Sequence, residues 1–192
     1  RALAKAEGEA IPPLAVRLEK HLPHGARIGG GSADAGAILR YLATARPELG
    51  GKLAEASASL GADVPVCLLG RPVIMSGIGE KLEAIGSLPD FGLLLVNPGK
   101  PVATPSVFRA LESRNNAPLP ALPSGGCTDF RTLCAWLAET RNDLQAPAAR
   151  IEPSIDEAIG AIKATGAAFA RMSGSGAPVF GLYARRAEAE AA

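Results

Sequence analysis

"HGARIGGGSADAGAILRYL", His24 to Leu42, sets three consecutive glycines and a serine directly before an apolar pattern at helical spacing. Glycine loses more backbone freedom on folding than any other residue, so a run of it at a helix start needs a reason. Two reasons fit. The glycines can make a tight turn between a strand and a helix. They can also make an anion cradle, because the first N–H groups of a helix lack intrahelical partners and its dipole places partial positive charge there. Without a Cβ in the way, a phosphate can approach that backbone, and Ser32 adds a hydroxyl donor. Gly29, Gly30, Gly31 and Ser32 are therefore candidate phosphate-binding residues.

Two familiar loops are excluded. A Walker A loop needs Lys after its second glycine, and Gly31 stands there, after Gly25 and Gly30. A dinucleotide fingerprint needs a third glycine where Asp34 stands, after Gly29 and Gly31.

Outward from this stretch, the chain has 192 residues, 47% of them hydrophobic, with a formal net charge of +1. Interspersed charges leave no basic footprint for nucleic acid. No apolar run reaches membrane-spanning length. Glu7 and Glu9 interrupt any signal-peptide core, and Cys67, Cys127 and Cys134 are too few and too unevenly spaced for a metal site. A reduced, cytoplasmic protein with no metal-ligand set is the expectation. The chain begins with Arg1, so its natural start is expected upstream.

Residues 1–10 read as the end of a helix, and "LAVRLEK" (Leu14–Lys20) alternates like a half-buried strand. A helix is expected from Ser32, and another over "KLAEASASLG", stopped by Gly61. "DVPVCLLG" and "RPVIMSG" read as two short strands, and "GIGEKLEAI" as a turn and a strand. A domain boundary falls near Ser87–Asp90, giving domains over 1–89 and 90–192. Beyond it, "FGLLLVNPG" reads as a buried strand, and "TPSVFRALES" as a helix capped by Thr104 with Pro105 at its first position. Residues 115–126 form a Pro/Gly-rich loop. Helices over "DFRTLCAWLAET" and "PSIDEAIGAIKATG" precede a strand–glycine turn–strand unit, "AAFARMSGSGAPVFGLY". The class is α+β.

Two further motifs carry candidate chemistry. Ser173-Gly174-Ser175-Gly176 holds more glycine than a two-residue hairpin turn needs, and is either a structural turn or a ligand loop. Asp63 lies between a helix end and an apolar run. It is either a turn aspartate or a partly buried general base that takes a proton from a substrate hydroxyl.

"LPHGARIGGGSADAGAILR", "LGADVPVCLLG" and "ARMSGSGAPVFGLY" resemble the three motifs of the GHMP kinases, in their order and spacing. "GIGE" at Gly77–Glu80, "NPG" with "TPSVF", and "RNDL" at Arg141–Leu144 extend the likeness over nearly the whole chain. The resemblance implies a two-domain fold, with an N-terminal domain like ribosomal protein S5 domain 2, a ferredoxin-like C-terminal domain and an active site between them. It implies ATP and Mg²⁺ as cofactors and an alcohol acceptor. Within the superfamily the likeness is strongest to enzymes that phosphorylate the 2-hydroxyl of a cytidine diphosphate derivative of methylerythritol. A homoserine or mevalonate kinase, and a non-catalytic nucleotide or metabolite sensor, are the alternatives.

Carried over position by position, Gly29, Gly30, Gly31 and Ser32 match the ATP phosphate loop, and Asp63 the catalytic aspartate. Gly174, Ser175 and Gly176 match the third glycine motif. Thr104 and Phe108 match positions lining the cytidine pocket, although an aromatic on an amphipathic helix is also an ordinary core residue. Lys20 matches a position near the adenine, or is a solvated lysine. The family begins with a strand whose lysine partners the aspartate, followed by a Tyr-His pair that reads cytosine. No such segment precedes "RALAK", so the chain resembles the later part of such an enzyme and is expected to be an inactive fragment by itself. Arg27 stands where the family has a small residue; it either strains the turn or reaches a phosphate.

Overall fold

The structure is a computed structural model that describes residues 14–21, 28–77 and 79–192. The expected helix end over residues 1–10 and the expectations for Arg27 lie outside the described residues. The described residues divide into two compact units, Gly29–Ile85 with residues 14–21, and Gly86–Ala192 with Ile28.

The first unit is mainly helical. Helix α1 (Gly30–Ala45) leads through a single 3₁₀ turn (Pro47–Leu49) into α2 (Gly50–Leu60). A short α3 (Val64–Leu69) and an antiparallel hairpin of β1 (Val73–Ser76) and β2 (Lys81–Ala84) follow. Leu39 and Leu42 lie three apart on one face of α1 and pack with Leu49, Leu53 and Val64 into an apolar cluster.

Gly36 brings α1 and α3 together. It is buried, and a Cβ there would lie 2.8 Å from both the carbonyl carbon and the Cβ of Cys67. The two backbones meet at this point, and no side chain fits between them. Gly36→Ala is expected to cost about 1–2 kcal/mol net, since overpacking by about 1–3 kcal/mol outweighs the gain in helix propensity. A urea titration checks this. A lower midpoint at unchanged slope is the expected result, and an unchanged or higher midpoint contradicts the close crossing.

Three expectations need correction here. Helix α1 begins at Gly30 rather than Ser32, because Gly29 adopts φ 74° as the N-cap. Residues 14–20 form no strand. Leu14, Val16 and Leu18 are exposed, and no strand pairs with the segment among the described residues. "VPVCLL" is a helix, not a strand. Pro65 sits in its first turn, where a missing N–H costs nothing, and Val64 and Leu68 meet the helical cluster at helical spacing. Gly70, at φ 62°, closes it.

The second unit is built on an antiparallel sheet of β3 (Gly92–Val96), β4 (Phe169–Met172) and β5 (Val179–Tyr183), in the order β3-β5-β4. Its helices are α4 (Thr104–Arg109), α5 (Phe130–Glu139), α6 (Gln145–Ile151), α7 (Ser154–Ala164) and α8 (Arg186–Ala191). Val107, Ala148, Ile155, Ile159, Met172 and Val179 form the core, with Leu94 and Val96 packed against it. Asp129 caps α5 by accepting the Thr132 N–H at 2.8 Å. The Trp136 indole donates to the Ala121 carbonyl at 3.1 Å and fastens the Pro/Gly-rich loop to that helix.

Strand β3 is buried on one face only. Leu93 and Leu95 are 56% and 42% exposed, because successive side chains point to opposite faces and the core lies on the face of Leu94 and Val96. Thr104 is the first residue of α4, not its cap; Ala103 holds that position and offers no side-chain hydrogen bond. Helices α6 and α8 are absent from the sequence-based reading. Pro147 lies in the first turn of α6 and masks it. Helix α8 is "RAEAEA", whose alanines carry no apolar stripe.

Candidate functional site

The triple glycine separates into two roles. Gly29 needs to be glycine for its backbone, at φ 74°. Gly30 and Gly31 do not: they are helical and exposed, and a Cβ on either would meet no atom within 4 Å. A tight turn therefore accounts for Gly29 alone. Among the described residues neither backbone conformation nor packing requires glycine at positions 30 and 31.

Lys20 reaches the same end of α1. Its ammonium pairs with the carboxylate of Asp34, one turn into the helix. The contact is about one-third exposed at both partners, so its worth to stability is about 0–1 kcal/mol. Its consequence is placement: a cation sits beside the glycine turn.

Asp63 immediately precedes α3, with φ −89° and ψ −7°, and its side chain makes no capping bond to that helix. Contrary to the expected partial burial, it is exposed. The apolar run after it folds as a helix that buries Val64 and leaves the preceding turn outside. Two glycines support this turn. Gly61, at φ 157°, ends α2. Gly79, at φ 110°, brings the β1–β2 turn against Ala62, where a Cβ would lie 2.7 Å from the Ala62 carbonyl oxygen. Ser32 and Asp63 are each four residues, about one helical turn, before the Gly36–Cys67 crossing.

In the second unit the structure gathers the third glycine motif with Thr104. The Thr104 and Ser175 hydroxyls are 2.7 Å apart, although 71 residues separate them in the chain. The loop closes on itself, with the Ser173 N–H donating to Pro178 at 2.8 Å and the Gly176 N–H to Ser173 at 3.0 Å. Gly174 and Gly176 have φ 55° and 87°, and a Cβ on Gly176 would strike the Met172 sulfur at 2.8 Å. Phe108 is 44% exposed while its neighbour Val107 is fully buried, which rules out the core-aromatic reading. It lies one helical turn from Thr104 on α4.

Asn142 belongs to the "RNDL" stretch that the sequence singles out, without a role assigned to it there, and Gln145 escaped sequence reasoning. The Asn142 amide donates to the Met172 and Gly174 carbonyls at 3.0 and 2.9 Å, and the Gln145 side chain accepts the Met172 N–H at 3.1 Å. The Asn142 side-chain oxygen also accepts the Leu144 N–H at 3.1 Å.

All three cysteines are free. Burial pushes the Cys127 and Cys134 thiols up, with Asp129 adding to the effect at Cys127, so both stay protonated and weakly reactive. Among the described residues no cluster of three His, Cys, Asp or Glu could hold a metal, and no helix is long and apolar enough to cross a membrane.

Residues 1–71 match the family description "GHMP kinases N terminal domain" and residues 118–192 match "GHMP kinases C terminal". The chain is similar to proteins named 4-diphosphocytidyl-2-C-methyl-D-erythritol kinase. The one from Paracoccus denitrificans is 49% identical over 92% of this chain and 62% of its own length. Those from Chelativorans and Cereibacter sphaeroides are 47% and 52% identical, over 98% and 92% of this chain and 64% of their own lengths. The chain thus spans a little over three-fifths of the curated relatives it matches. A crystal structure of 4-(cytidine 5'-diphospho)-2C-methyl-D-erythritol kinase superposes with a TM-score of 0.67 at 33% identity, covering 90% of this chain and 63% of that one. With matches to both halves, in order, and an open glycine-headed helix in the first unit, this chain belongs to the GHMP kinase superfamily.

Proposed function

We propose that the chain is the larger part of an ATP-dependent kinase that phosphorylates the 2-hydroxyl of 4-diphosphocytidyl-2-C-methyl-D-erythritol, a step of non-mevalonate isoprenoid synthesis, in the cytoplasm. The observation that carries this reading is 47–52% identity to relatives of that name across 92–98% of this chain. Gly30 and Gly31, which neither backbone conformation nor packing requires, support a phosphate-binding role in the first unit. The domain limits 1–89 and 90–192 belong to the same reading.

In this reading the backbone N–H groups of Gly30, Gly31 and Ser32 hold the nucleotide phosphates, with Lys20 supplying a cation beside them. ATP with Mg²⁺ supplies the transferable phosphoryl group and part of the charge neutralisation. Phosphoryl transfer asks for positioning and charge stabilisation rather than covalent chemistry from the protein. Asp63 orients the acceptor hydroxyl and takes its proton. An exposed carboxylate at a fixed turn suits that task, because the acceptor can reach it directly. Thr104 and Phe108 belong to the acceptor side: the hydroxyl offers a hydrogen bond and the exposed ring a face on which a pyrimidine stacks. Gly174, Ser175 and Gly176 line the same side.

An acceptor panel tests the proposal. The complete gene product is supplied with ATP, Mg²⁺ and the cytidine diphosphate acceptor, homoserine or mevalonate in parallel. The expected result is a kcat/KM for the cytidine acceptor at least about 10²-fold above the others, since unpaired buried polar groups penalise the wrong ligand. A preference for homoserine or mevalonate refutes the acceptor. Nucleotide-dependent stabilisation without turnover of any acceptor identifies a sensor instead.

A further inference from the structure

We propose that Asn142 is a positioning residue that sets the glycine loop so that Ser175 meets Thr104. Its effect on catalysis rests on the kinase reading above; its effect on the loop does not. The Asn142 amide has one orientation that satisfies its surroundings. Its NH₂ end faces two carbonyls, Met172 and Gly174, and its oxygen faces the Leu144 N–H. Gln145 takes the remaining Met172 backbone group, its N–H. At Met172 the open edge of β4 is thus met by two side chains rather than by another strand. Within the loop, the Ser173–Pro178 and Gly176–Ser173 bonds close the turn on itself and do not tie Gly174 to the rest of the unit. Gly174 and Gly176 both adopt positive φ, so the loop has little stiffness of its own. Asn142 holds Gly174, and Ser175 follows it in the chain. The 2.7 Å contact between Ser175 and Thr104 therefore depends on an anchor that itself touches neither hydroxyl.

Asn142→Asp tests this with almost no change of shape, because a carboxylate has no donors for the two carbonyls. In the complete gene product the acceptor KM is expected to rise at least about tenfold, approaching the ~10²-fold that an ångström of misplacement costs, while the KM for ATP changes by less than about threefold. A purely structural role would not produce that split. Placing Asn142→Asp in a Ser175→Ala background is expected to show much less than the sum of the two losses, since both break one contact. Hydrogen exchange of residues 173–177 is read in the same samples and is expected to accelerate at least about tenfold, with the rest of the sheet unchanged. If the parent turns over no acceptor, the kinase reading fails while the exchange result still decides the loop. Exchange unaltered in the loop, or fully additive losses, overturns the proposal. If Asn142→Asp does not fold, Asn142→Ala removes the same two donors without adding a charge and is read in the same way; unchanged exchange of residues 173–177 there also overturns the proposal.

Discussion

Asp63→Asn in the complete gene product is expected to lower kcat by about 10²–10⁴-fold, the range associated with losing a positioned general base. ATP affinity is expected to stay within about twofold, and the melting temperature close to the parent's. The unchanged melting temperature follows from the structure. Asp63 is exposed and makes no capping bond to α3, so its amide analogue removes a proton acceptor without removing a structural contact. Steady-state kinetics with saturating ATP, alongside a thermal melt, give both readings. A kcat within a few-fold of the parent would leave Asp63 as an ordinary turn aspartate and move the proton acceptor elsewhere.

Gly31→Val separates the two roles of the glycine run. At this position φ is negative and the space around the missing Cβ is open, so the fold accepts the side chain. The approach to the first N–H groups of α1 does not. Nucleotide affinity is expected to fall at least about tenfold, which is about 1.4 kcal/mol, with stability within about 1 kcal/mol of the parent. Calorimetric titration with ADP measures the first, and denaturant unfolding the second. Gly29→Ala is the contrasting variant: its φ of 74° makes the main effect a loss of stability, about 1–2 kcal/mol. Undiminished ADP binding by Gly31→Val would mean that the phosphates lie elsewhere.

What the sequence made legible follows from which signals are local. A glycine run before a helical pattern carries its meaning within a few residues, and α1 stands where it was expected apart from its first turn. The hairpin of β1 and β2 and the strands flanking the third glycine motif are equally local, each bounded by glycine. "VPVCLL" fails for the opposite reason. A six-residue apolar run fits a buried strand or a short helix equally well, and only Pro65 in the first turn distinguishes them. Exposure is not local either. Asp63 and Phe108 stand outside because of what their neighbours Val64 and Val107 pack against. The tie between Thr104 and Ser175 crosses 71 residues, and the Asn142 anchor crosses 32 to reach Gly174. No spacing rule reaches that far, so the motif was legible and its supports were not.

The most direct test of the central claim is ATP-dependent phosphorylation of 4-diphosphocytidyl-2-C-methyl-D-erythritol by the complete gene product, read as ADP release together with ³¹P NMR of the acceptor. Stoichiometric ADP and a new phosphomonoester on the 2-hydroxyl are expected, with the rate of both lowered about 10²–10⁴-fold by Asp63→Asn. Nucleotide binding with no phosphoryl transfer to this acceptor, or transfer that survives Asp63→Asn undiminished, would contradict it.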